Sequence, residues 1–97
     1  MENKPMVLLM RLCFRAPWCR SLKDRRSEVS RLISRLRHRF NVSAVESGPQ
    51  DIHTLFEISV AALAFGAGQA DSTRESLLSF VEDQSEAELY QVEENQY

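Results

Sequence analysis

The chain has 97 residues, 43% of them hydrophobic and 27% charged, which suits one compact domain and is too short for two ordinary ones. Three glycines and three prolines exclude a collagen-like or linker-like chain, and the aliphatic content excludes wholesale disorder. The net charge of −2 conceals a split: residues 11–39 carry ten basic side chains against two acidic ones, whereas residues 40–97 carry eleven acidic side chains against Arg74 alone.

The first apolar run, Met6–Phe14, has the length of a strand. Alternation puts Met6, Leu8, Met10, Leu12 and Phe14 on a buried face, and Val7, Leu9, Arg11 and Cys13 on the other. The run is far short of the ~18 apolar residues that span a bilayer and too short for a secretory leader, so a cytoplasmic protein without a membrane partner is expected. Arg15–Arg20 follows as a loop, in which Pro17 withholds a backbone donor and biases Ala16 away from helix. Ser21 is placed to cap a helix, with Asp24 in its first turn. That helix is predicted to run to about His38, because Leu22, Val29, Leu32, Ile33, Leu36 and Phe40 draw one apolar stripe. At about 100° per residue, Lys23, Arg26, Ser30 and Arg37 share a flank of the stripe, with Ser27 and Ser34 beside them. Arg25 falls inside the apolar arc and is expected to snorkel past the end of the sheet.

Asn41–Glu46 alternates as a short strand, and Ser47–Asp51 is turn chemistry. Leu55–Phe65 is the third strand, with Phe56, Ile58, Val60, Ala62 and Ala64 on one side and Glu57, Ser59, Ala61, Leu63 and Phe65 on the other. Gly66–Ala70 reads as a break, after which Asp71 or Ser72, with Glu75, caps a second helix that turns Leu77, Leu78 and Val81 inward. Glu88–Glu93 is a closing edge strand, and Glu94–Tyr97 is expected to fray, leaving an ordered core of about residues 5–93 in a single domain spanning 1–97.

Strand, helix, strand, strand, helix, strand is the order of a ferredoxin-like βαββαβ sandwich, an α+β fold with a four-stranded antiparallel sheet and two helices on one face. The uncovered face then presents Val7, Leu9, Leu63 and Phe65, an apolar surface of the kind that makes an oligomer interface, so a homodimer is expected.

The stretch Arg20-Ser21-Leu22-Lys23-Asp24-Arg25-Arg26, with Leu32-Ile33 and Arg37-His38-Arg39-Phe40-Asn41-Val42-Ser43, resembles the YlxP-like family of small bacterial proteins of unknown function. The similarity extends from about Met6 to Glu93, including Gln50-Asp51 and Ala87-Glu88-Leu89. It implies a ferredoxin-like domain and no established reaction. The association of such proteins with translation and ribosome-maturation genes implies an RNA or ribosomal partner. Gly66-Ala67-Gly68-Gln69 departs from the more polar turn expected there, and Trp18 and Cys19 are also unusual.

The densest candidate site is the first loop and helix start, Arg15, Arg20, Ser21, Lys23 and Arg26, which with Arg37 farther along the same flank could hold RNA phosphates or another anion. Neither an RNP-like octapeptide nor a phosphate loop occurs, so any RNA contact is expected to be to backbone or shape. Cys13 and Cys19 are six apart without a CxxC, and His38 and His53 are isolated, so no metal or cofactor is expected. Acylphosphatases share the fold, but Pro17-Trp18 stands where their glycine-rich loop would be. The sequence therefore points to a noncatalytic module for structured RNA or a ribosome-assembly intermediate. The alternative is a small homodimeric interaction protein whose basic helix faces an acidic partner or its own acidic half. An enzyme acting on a phosphorylated metabolite ranks last, because no acid, base and nucleophile converge.

Overall fold

The computed structural model describes residues 4–97; the first three residues of the expected domain lie outside the described residues. The elements are β1 (Met6–Arg15), α1 (Leu22–Arg39), β2 (Ser43–Ser47), β3 (Leu55–Ala64), α2 (Gly66–Gln84) and β4 (Glu88–Gln96). The sheet is antiparallel in the order β2-β3-β1-β4. This is the ferredoxin-like arrangement that the element order predicts.

Strand parity decides which side chains are buried. Leu8, Met10, Leu12 and Phe14 of β1 and Phe56, Ile58 and Val60 of β3 all point toward the helices. Val29, Leu32 and Leu36 of α1 and Leu77 and Val81 of α2 close over them. Each such side chain contributes about 1.5–3 kcal/mol when fully buried. The rings of Phe14 and Phe56, opposite each other in the ladder, stack at 4.8 Å.

Three local expectations are corrected. Gly66–Ala70 does not break the chain: α2 starts at Gly66, and its entry is held by the Gln69 side chain, whose Oε1 accepts the Phe65 backbone N–H at 2.6 Å. Gly66 itself has φ +83, a backbone region that side chains disfavour, so the glycine makes the corner and the helix follows at once. Residues 94–97 do not fray, because β4 continues to Gln96 and Tyr97 exchanges backbone hydrogen bonds of 2.7 and 2.9 Å with Val7. Arg25 does not snorkel. It is 1% exposed, and its guanidinium donates to the carbonyls of Leu55 at 2.7 Å and Pro49 at 3.1 Å while pairing with Glu46.

Candidate polyanion-binding groove

The start of α1 is closed by its own residues. Ser21 Oγ accepts the Asp24 N–H at 3.1 Å, and the Asp24 carboxylate accepts the Arg20 N–H at 3.0 Å. This reciprocal cap uses donors that an anion at the helix terminus would need. Ser21 therefore acts as a cap here, and the basic character of the region lies along the flank of the helix.

The two flanks of α1 differ in what they meet. On the flank toward α2, Arg31 forms a bidentate pair with Glu28 at 2.8 and 2.9 Å and also donates to the Gln84 carbonyl, while Arg35 donates to the Gln84 side chain. Ser85 adds a hydroxyl to Glu28. Those arginines are committed to holding the helices together. On the flank toward β2, Lys23 and Arg26 are exposed and meet no acid among the described residues. Arg37 donates to the Ala44 carbonyl through Nε at 3.1 Å and through Nη2, which ties the end of α1 to the edge strand without neutralising the charge.

Between this flank and β2 lies an open groove of about 540 Å³ lined by Arg26, Val29, Ser30, Ile33, Ser34, Arg37 and Glu46. Two guanidinium groups and two hydroxyls supply donors for phosphate oxygens, and Val29 and Ile33 give the floor an apolar patch. Glu46 is the acidic member, and its charge is matched from beneath by Arg25 at 2.5 Å. The cations thus face outward over a floor whose own charges cancel.

Of the predicted residues, Arg26 and Arg37 line the groove, Lys23 lies one turn before Arg26 on the same flank, and Arg20 precedes the helix. Arg15 is placed elsewhere. As the last residue of β1 it lies on the uncovered face of the sheet, pairs with Glu88 at 3.2 Å and stacks over the Tyr90 ring at 4.7 Å. Sequence reasoning does not reach Glu46, and the signal for it is Arg25: an arginine inside an apolar arc needs a buried partner.

The uncovered face carries a second cluster. Glu57, 12% exposed, accepts from Arg11 Nη2 at 3.1 Å, from the Cys13 thiol at 3.5 Å and from the Ser47 hydroxyl, which also meets Ser59 at 2.7 Å. Arg11 also pairs with Glu93 across the ladder. The hydrogen bond from Arg11, reinforced by that from Ser47, holds the Glu57 carboxyl below its ordinary range. Burial, aided by the Glu57 contact, pushes the Cys13 thiol up, so Cys13 is a weak nucleophile beside a strongly ionised carboxylate. The cluster ties all four strands together across the sheet. Around it, Val7 and Leu9 are partly exposed, Leu63 is 70% exposed and Phe65, just beyond the end of β3, is 57% exposed. Among the described residues no three His, Cys, Asp or Glu side chains are grouped as metal ligands would be, and no helix is long and apolar enough to cross a membrane.

An antiparallel four-stranded sheet, two helices on one face and a basic groove along the first helix define a small ferredoxin-like α+β domain. Residues 7–94 match the family described as "Protein of unknown function (DUF503)", and the chain belongs to that family. It is similar to "Uncharacterized protein YlxP" of Bacillus subtilis (strain 168), with 31% identity over 68 residues, 70% of this chain and 74% of that protein. The resemblance seen in the first helix and the Arg39-Phe40-Asn41-Val42-Ser43 stretch thus reflects family membership. Neither match indicates a catalytic family.

Proposed function

We infer that this protein is a noncatalytic module that grips the phosphate backbone of structured RNA, as on a ribosome-assembly intermediate, through the β2-facing flank of α1. The observation that carries this reading is the unequal use of the arginines. Those toward α2 are bound by Glu28 and Gln84, whereas Lys23 and Arg26 have no acidic partner among the described residues, and Arg26 lines a hydroxyl-bearing groove together with Arg37. Cations not used inside the molecule keep their affinity for phosphates outside it.

The test is the salt dependence of binding to a structured RNA duplex. Lys23→Glu with Arg26→Glu should weaken binding and make the log–log salt slope shallower by about two units, one for each phosphate that the two cations neutralise in the wild type. Arg35→Glu, on the opposite flank, should leave the slope unchanged. Equal binding by the wild type and the Lys23/Arg26 variant would remove this surface from consideration.

A second reading concerns the other side of the sheet. The exposure of Leu63 and Phe65 beside Val7 and Leu9 favours a homodimer packed through that face, either alongside RNA binding or as the main role of the domain.

A further inference from the structure

The turn between β1 and α1 holds a large apolar side chain out of the core. The Cys19 N–H donates to the Ala16 carbonyl at 3.1 Å and both residues are buried, so Pro17 and Trp18 form the outward tip between them. Proline fixes the backbone there, and Trp18, the one tryptophan of the chain, stands 44% exposed. Two open clefts of about 490 and 360 Å³ share Trp18 as a wall, and together they are lined by five carboxylates against one guanidinium, that of Arg31. Much of that negative charge is unused inside the molecule. Glu28 is taken by Arg31 and Ser85, but Glu82 and Glu86 are exposed and meet no partner among the described residues, and Asp83 meets only the uncharged Gln84 amide at 3.3 Å. Among the described residues these acids are not grouped as the ligands of a metal ion would be; they are spread along the end of α2 and the residues after it. An indole face attracts cations through its ring quadrupole, and carboxylates beside it add Coulomb attraction. A guanidinium satisfies both at once, because its plane stacks on an aromatic ring while its edge forks onto a carboxylate.

We propose that Trp18, with Glu82, Asp83 and Glu86, docks an arginine-rich segment of a protein partner. Charge complementarity selects this occupant: the acids repel phosphates, and an uncharged apolar segment would leave them without a counter-charge. The ring supplies the anchor and the carboxylates supply the steering. The site does not depend on the RNA-binding reading, because it lies away from the α1–β2 groove and shares no residue with it.

The experiment titrates the unmodified protein with a short synthetic peptide of alternating arginine and glycine, its ends blocked, and follows the emission of Trp18; calorimetry gives the affinity of variants that lack the indole. The arginine peptide is expected to perturb the emission saturably and to bind more tightly than a lysine peptide of equal length and charge. Trp18→Ala should weaken binding about fivefold, the value of one exposed cation–π contact, and Trp18→Phe, which keeps a ring, should lose less. Glu82→Gln with Glu86→Gln leaves the indole in place and should weaken binding severalfold at low salt; it is the second variant should Trp18→Ala not fold. Equal affinity of the wild type and Trp18→Ala, or of the arginine and lysine peptides, would reduce the contact to diffuse attraction between charges and overturn the site. Absence of saturable binding would overturn it as well. A shift in emission on concentrating the protein without peptide would identify a second copy as the occupant and overturn the arginine-rich partner.

Discussion

Arg25 and Glu57 show how single residues settle what the pattern of neighbours leaves open. Arg25 is a cation fully enclosed beneath the β2–β3 turn, and removing it strands both Glu46 and two carbonyls. Arg25→Met should cost about 3–5 kcal/mol in urea denaturation, and the double change with Glu46→Leu should cost less than the sum of the two singles. Glu57 contributes in the opposite pH direction from a cation. Its carboxyl titrates below the ordinary value in the folded chain, so the stability it confers is complete above the usual carboxylate range and is lost as pH falls through the lowered value. Glu57→Gln should flatten that acid limb of the stability profile. The same variant should speed alkylation of Cys13 at neutral pH, since the negative charge that helps keep the thiol protonated is gone.

At the level of elements, the turn into α2 makes a sharp prediction. Gly66→Ala should destabilise by about 1 kcal/mol or more because of its φ of +83, although open space surrounds the added methyl, and Gln69→Ala should cost about 1 kcal/mol by releasing the Phe65 N–H; thermal unfolding of both variants checks this. Those two residues also show where sequence reasoning stops. The periodicities of β1, α1 and β3 are legible because one face of each is buried, and the Ser21–Asp24 cap is legible because it is local. Gly66–Ala70 reads as a break because glycine signals a corner without saying how soon regular structure resumes. The parity that sends Arg11 to the uncovered face sends Arg15 there too, so assigning Arg15 to the loop misplaces it. The partners of Arg25 come from β2, the turn after it and the first residue of β3, a proximity that no spacing within α1 encodes. The extra length of β4 likewise depends on the neighbouring β1, since Glu94, Asn95 and Gln96 carry little strand propensity of their own.

Across the whole molecule the two helices divide the charge. The flank of α1 beside β2 is cationic, whereas most acids of the second half sit on α2 and on β4, the sheet edge opposite β2. Of the arginines that face α2, Arg31 is neutralised by Glu28 on the same helix, whereas Arg35 is held by the uncharged Gln84 side chain and keeps its charge. The uncovered sheet face makes a separate prediction: Leu63→Asp should turn a dimer into a monomer by light scattering while leaving RNA affinity per chain unchanged, because the groove lies on the helix side. A monomeric wild type would remove the homodimer reading. The joining of β1 to β4 has a consequence for how the chain comes off its template. Arg11 waits for Glu93, which is 82 positions later. At about 5–20 residues per second, the leading strand is left without one of its two lateral neighbours for roughly 4–16 s while the rest is translated. During that interval Met6–Phe14, among the most water-averse segments of the chain, needs a temporary cover, so slowing elongation late in the message should lower the yield of native protein more than slowing it early.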